Sequence, residues 1–146
     1  MTLVLAVVVS CVFLVLGLWH VSVALSPSPG SGGASSAVPS VNGKPLFVPS
    51  TRATLAVAAG LILFAALVLA TAGILTTGVP GTVLVWLSYA LAAGLLARAV
   101  GEFKYVGFFK KFRGSHFAKM DTLVYSPLCV LLALGVSTVA LMQGAK

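Results

Sequence analysis

The chain has 146 residues, of which 60% are hydrophobic and 8% charged, and its mean hydropathy is +1.14. A soluble domain carries roughly 25% charged residues, so this composition excludes a protein that covers itself with a water-compatible surface. The net charge of +7 sits beside apolar runs, where anionic lipid head groups are the nearer counter-charge, and nucleic acid is not expected as a partner.

The first apolar run covers residues 2–25 and is broken by Ser10, His20 and Ser22. It lacks the charged n-region and the small-residue cleavage site of a secretory signal, so it reads as a retained helix. Residues 26–52 follow as a loop. Its first part, to Ser40, has the Ser/Gly/Pro composition of a flexible linker. The text then changes to Val41-Asn42-Gly43-Lys44-Pro45-Leu46-Phe47-Val48-Pro49. Asn-Gly signals a turn, and the two prolines predict an extended Leu46-Phe47-Val48 triplet at the bilayer interface or against the helix ends.

Residues 53–75 and 82–100 supply the second and third spans. The connection between them is short enough to make the two helices antiparallel neighbours. Ala56 and Gly60, Ala90 and Gly94, and Ala93 and Ala97 stand four apart, the spacing that lets helix backbones approach closely in lipid. The fourth span lies within residues 122–143. Ser126-Pro127 fits an N-cap followed by a proline at the first helical position, so the helix starts either there or at Asp121 or Thr122, with the proline near its first turn. Each span has about the 20 residues a bilayer requires. The expected fold is therefore all-α, a single integral membrane domain built as a four-helix bundle.

Between the third and fourth spans, residues 101–121 interleave Phe103, Tyr105, Phe108, Phe109, Phe112 and Phe117 with Lys104, Lys110, Lys111, Arg113 and Lys119. Aromatic rings favour the head-group level and basic residues attract anionic lipid. The five cations are the expected lipid-binding set, on an interfacial helix running up to Gly114. With Lys44, Arg52 and Arg98 they also set the orientation. Four spans put both long segments on one side and leave only Lys146 on the other, so the positive-inside rule places both segments in the cytoplasm and the N- and C-termini on the extracytoplasmic side.

Ionisable groups at membrane depth are the default functional suspects. His20, Arg98, Glu102, Asp121 and Tyr125 all fall near the same boundary and form a candidate polar site. Arg98 and Glu102 have the spacing of an ion pair on one helix face, and Asp121 is placed to favour a helix N-terminus. Other chemistry is disfavoured. A single histidine inside a span cannot supply bis-histidine haem. Cys11 and Cys129 form no C-x-x-C pair, and the chain holds few metal ligands. No phosphate-cradling glycine motif is present, and neither acid lies at mid-membrane. No metal and no cofactor are expected.

The stretch Arg98-Ala99-Val100-Gly101-Glu102-Phe103-Lys104-Tyr105-Val106-Gly107-Phe108-Phe109-Lys110-Lys111, with Asp121-Thr122 and Tyr125-Ser126-Pro127-Leu128-Cys129, resembles the signature of a family of small bacterial four-span membrane proteins, DUF3995. The loop from Val41 to Pro49 is similar to its first-loop motif. The first span departs from the family's histidine followed three residues later by tryptophan, since here Trp19 precedes His20 and Val23 follows it. The resemblance implies a bacterial plasma-membrane location and four helices, and supplies no activity.

The functional expectation is a small non-enzymatic accessory or scaffold protein that acts through helix packing and anionic-lipid contacts, with a membrane protein partner or a second copy of itself. A homo-oligomeric transporter of ions or small molecules, and a membrane enzyme acting on a lipid or quinone at the cytoplasmic boundary, are the alternatives from other classes.

Overall fold

A computed structural model describes residues 2–25, 38, 40, 41, 44, 45, 49–111 and 113–145. Most of the Ser/Gly/Pro linker, the Asn42-Gly43 turn, the Leu46-Phe47-Val48 triplet and Phe112 fall outside the described residues. Helix α1 spans Thr2–Leu25, α2 Thr51–Thr71 and α3 Gly81–Val100. A fourth helical stretch of a different kind follows. A short α4, His116–Met120, runs through a π-helical turn, Asp121–Tyr125, into α5, Ser126–Gly144. Two-residue strands β1, Ser40–Val41, and β2, Lys44–Pro45, pair antiparallel. Among the described residues, four helical segments are long and apolar enough to cross a membrane.

The helices pack as two pairs. α1 lies along α2 and α3 along α5, and α1 against α5 joins the pairs. The centre holds Phe13, Val68, Leu91, Leu132 and Val136 with several alanines. Large apolar side chains such as Val15, Leu63, Trp86 and Leu131 point outward, the arrangement expected where lipid rather than water surrounds the helices. Without a hydrophobic driving force between helices in lipid, close van der Waals packing and buried hydrogen bonds must hold them. Both are present. A Cβ on Gly135 would stand 2.7 Å from Val9 Cγ2, so α5 reaches α1 through a backbone-level contact. Ser10 Oγ donates to Ala65 O at 3.1 Å, and the hydroxyls of Thr71 and Ser88 lie 2.9 Å apart.

The six small residues singled out by spacing are not where the helices meet. Ala56, Ala90, Ala93, Gly94 and Ala97 are exposed, and a Cβ on Gly60 or Gly94 would touch nothing within 4 Å. α2 instead buries Ala58, Ala65 and Val68, and α3 buries Leu84, Ser88, Leu91, Ala92 and Ala99. A four-residue spacing recurs on every face of an alanine-rich helix, so it does not select the packed one. α2 and α3, despite their short connection, pack less extensively, around Thr71, Leu84 and Ser88.

The fourth span also differs from both readings of its start. Helix begins at His116, capped by Ser115, whose hydroxyl accepts from Ala118 N at 3.1 Å. Pro127 then sits inside a continuous helical stretch. In an α-helix its ring would crowd the carbonyl four residues back, and it donates no hydrogen bond. The preceding turn widens instead, with Ser126 N–H reaching Asp121 O five residues back, a π-type insertion that absorbs the defect. Asp121 is thus internal to the helical stretch and caps no N-terminus.

Thr2 Oγ1 lies 3.1 Å from Met142 Sδ, and Gln143 Nε2 donates to Ala72 O at 3.1 Å. The start of α1 and the ends of α2 and α5 therefore share one end of the bundle. Arg52, Arg98 and the cations of residues 104–119 occupy the other.

Candidate functional site

At the basic end the chain breaks out of α3 at Gly101, which has φ +82 and whose N–H still bonds Ala97 O at 2.8 Å. Residues 101–111 then fold back on the helix end, with Phe108 N donating to Ala99 O at 2.9 Å and Lys111 N to Phe103 O and Lys104 O. The fold-back rests on two glycines in contact. A Cβ on Gly107, at φ +90, would stand 2.3 Å from Val100 O, and one on Gly101 would stand 1.9 Å from Val106 O. Any L side chain at either place collides with backbone. Among the described residues up to Gly114 no interfacial helix forms, because left-handed conformations at Gly101, Phe103 and Gly107 interrupt it at the outset.

This reversal carries Lys110 inward to Asp121. Asp121 is 0% exposed. Its Oδ1 accepts from Arg98 Nη2 at 2.9 Å, and its Oδ2 accepts from Lys110 Nζ at 2.9 Å and Gly107 N at 2.7 Å. The Lys110 ammonium, also fully buried, donates to Gly107 O at 2.9 Å and Thr122 Oγ1 at 2.7 Å as well. Its three protons meet three acceptors. The cluster ties α3, the fold-back loop and the π-helical turn to one carboxylate. Two cations against one acid leave it with a net positive charge.

Of the five residues expected to converge, Arg98 and Asp121 are brought together and His20, Glu102 and Tyr125 are not bonded to them. His20 Nδ1 lies 2.8 Å from Leu16 O in its own helix, with Trp19 edge-on at 5.0 Å. Glu102 is exposed beyond the end of α3, so the expected ion pair with Arg98 is absent: α3 ends two residues before Glu102, and Asp121 takes the guanidinium. The Tyr125 ring rests on Phe117 at 6.2 Å. His116 is exposed. Sequence reasoning missed Lys110, Gly107 and Thr122 as members of the cluster. Lys110 was expected among the lipid-facing cations, and its ammonium instead points at Asp121. Lys104, Lys111, Arg113 and Lys119 are exposed. Phe103 and Phe109, each 62% exposed, stand beside them with rings 6.3 Å apart.

Among the described residues no three of His, Cys, Asp and Glu gather as metal ligands would, and Cys11 and Cys129 are free thiols. At the opposite end of the bundle a cleft of about 1120 Å³ opens between the turn after α2 and the end of α5, with Thr71, Thr76, Trp86, Tyr89 and Gln143 on its walls.

The fold and the cluster define a class: a small polytopic helical membrane protein whose basic end is closed by a buried arginine–aspartate–lysine latch. The family described as protein of unknown function (DUF3995) matches residues 4–136, and the chain belongs to it. No curated protein and no solved structure matches the chain.

Proposed function

We propose that this is a non-enzymatic accessory or scaffold protein of the bacterial plasma membrane, which acts through helix packing and through contacts of its basic end with anionic lipid. One observation carries the reading. The buried carboxylate is fully occupied in holding structure, with both oxygens bonded to Arg98, Lys110 and the Gly107 amide. A general acid or base needs a proton to exchange with a substrate within reach, and a mid-membrane carrier site needs charge facing a pathway. An acid locked between two cations serves neither role. It fixes a loop that presents Phe103 and Phe109 between exposed Lys104, Lys111, Arg113 and Lys119, the composition of a head-group contact surface. In this reading the basic end faces the cytoplasm, and both termini face outward.

Native mass spectrometry of the tagged protein, released gently from its own membrane, tests the proposal. A stoichiometric second membrane protein together with retained anionic lipid is the expected result. A homo-oligomer carrying a defined small molecule would move the weight to transport, and turnover of a lipid or quinone by the purified chain would end the non-enzymatic reading.

A further inference from the structure

The cleft at the end of the bundle away from the latch exists because two neighbouring helices stop at different depths. Thr71, the last residue of α2, bonds Ser88, which stands seven residues beyond Gly81 at the start of α3. At about 1.5 Å per residue, α2 ends about 10 Å short of the level at which α3 begins. Residues 72–80 cover that distance without helix. They do so at membrane depth, because α3, at 20 residues, is only just long enough to span. Irregular backbone there is tolerated where it is buried in protein or lines a cavity. Among the described residues, the N–H groups of Thr76, Thr77 and Gly78 have no partner within the chain.

The chemistry of the walls narrows what can fill the space. The cleft holds about 1120 Å³, which suits a small-molecule site. None of its lining residues is charged, so an ion entering it would give up water for no counter-charge. Leu75, Val85 and Leu141 supply apolar wall. Trp86 and Tyr89, edge to face at 6.0 Å, bring an indole N–H and a hydroxyl that have no partner among the described residues. Gln143 donates its amide N–H to Ala72 O at 3.1 Å, which leaves its Oε1 to accept. Trp86 is 69% exposed, on the helix face of exposed Val83 and Leu87, so the cleft is open on the lipid side.

We infer that this cleft binds one uncharged lipid, an apolar chain whose head carries hydroxyl or carbonyl oxygens, as in a diacylglycerol or a lipid quinone. The chain covers the apolar wall. The head's oxygens accept from the Tyr89 hydroxyl and the unpartnered loop N–H groups, and a head-group hydroxyl donates to Gln143 Oε1. The site is separate from the anionic-lipid surface at the basic end, and either stands without the other.

The test uses the detergent-solubilised protein, titrated with dioleoylglycerol, decylubiquinone and phosphatidylglycerol and read by native mass spectrometry and fluorescence. The chain has two tryptophans, so Trp19→Phe leaves Trp86 as the only one and serves as the parent. Two variants are made in it. Gly144→Leu fills the cleft, and a Cβ there would meet Val85 Cγ1 at 3.7 Å, an ordinary contact. Tyr89→Phe removes the hydroxyl alone. The expected result is one saturable copy of a neutral lipid with a saturable change in Trp86 emission. Binding should weaken about fivefold in Tyr89→Phe and about tenfold or more in Gly144→Leu. Saturation by the diacylglycerol alone, or by the quinone alone, names the head group. An emission change that never saturates, or that is the same in Gly144→Leu, is partition into detergent and overturns the site. Displacement of the neutral lipid by phosphatidylglycerol overturns its uncharged character. If Gly144→Leu does not fold, equal binding by Tyr89→Phe and its parent overturns the hydroxyl contact and the site with it.

Discussion

The Asp121 carboxylate accepts from three groups, Arg98, Lys110 and the Gly107 amide, and its value to the fold follows from what would be left without it. Removing one partner of a buried ionic cluster leaves uncompensated charge, at a cost of about 3–5 kcal/mol. Asp121→Asn should therefore lower the thermal unfolding temperature in detergent sharply. A second readout ties the loss to the latch. Lys110 is sealed from solvent, so an amine-acylating reagent should modify Lys104, Lys111 and Lys119 in the wild type and spare Lys110. In Asp121→Asn, Lys110 should become reactive. A Lys110 that acylates as fast as Lys111 in the native protein would show that the latch does not form. Gly107→Ala probes the same cluster from the backbone side. Its Cβ would meet Val100 O, and φ +90 is strained for any L residue, a penalty of about 1–3 kcal/mol before the clash is counted. Loss of stability together with gain of Lys110 reactivity is the expected pair of outcomes.

The residue scale also shows why the latch was only half legible. Arg98 and Asp121 attract notice from sequence because charges in spans are rare. Their pairing is hidden because Glu102 offers Arg98 a nearer partner at helical spacing, and only the end of α3 at Val100 removes it. Gly101 and Gly107 were the signal for that ending, two glycines bracketing five residues. Lys110 was hidden differently. Among four other cations it looks like one more member of a collar, and nothing local distinguishes the lysine that turns inward.

At the level of elements, the π-helical turn decides where Asp121 points. The widened turn behaves as a one-residue insertion, and each residue rotates an α-helix by about 100°. Deleting Leu123, an exposed residue of that turn, should let the stretch close to α-geometry and swing α4 with Asp121 away from Arg98 while α5 keeps its face toward α3. Leu123→Ala should be nearly silent. The comparison to make is Lys110 acylation and unfolding temperature in both variants. If the deletion leaves Lys110 protected, the π-turn is not what aims the carboxylate. Pro127 made this element readable only in part. Its missing donor announces an irregularity in the fourth span, but two responses satisfy proline, a helix that starts there and a helix that widens just before it. The sequence pattern favours neither, because Ser115 and Ser126 are both good N-caps, and the long-range bonds of Asp121 decide between them. The spans themselves were legible because length and apolarity suffice for them. Which helices pair was not, since small residues line several faces at once.

For the whole molecule the open quantity is which end faces the cytoplasm. The two ends differ in kind. One carries Arg52, Arg98 and the cations of residues 104–119, and the other gathers the start of α1, the residues around Thr77 and the end of α5. Orientation is set while the chain inserts, before any latch forms, so Lys110 counts toward the positive-inside bias even though it is later buried. The bias is then strong enough to predict that the basic end stays in the cytoplasm. In a background with Cys11→Ala and Cys129→Ala, Lys111→Cys and Thr77→Cys provide one exposed thiol at each end. A membrane-impermeant maleimide applied to intact cells should label Thr77→Cys and leave Lys111→Cys untouched until the membrane is opened. The reverse pattern would put the aromatic–basic surface and Arg98 outside, where the leaflet's anionic potential is not the one that draws polybasic segments. The lipid-contact function would lose its driving force, and the cleft near Thr77 would become the cytoplasmic feature to explain.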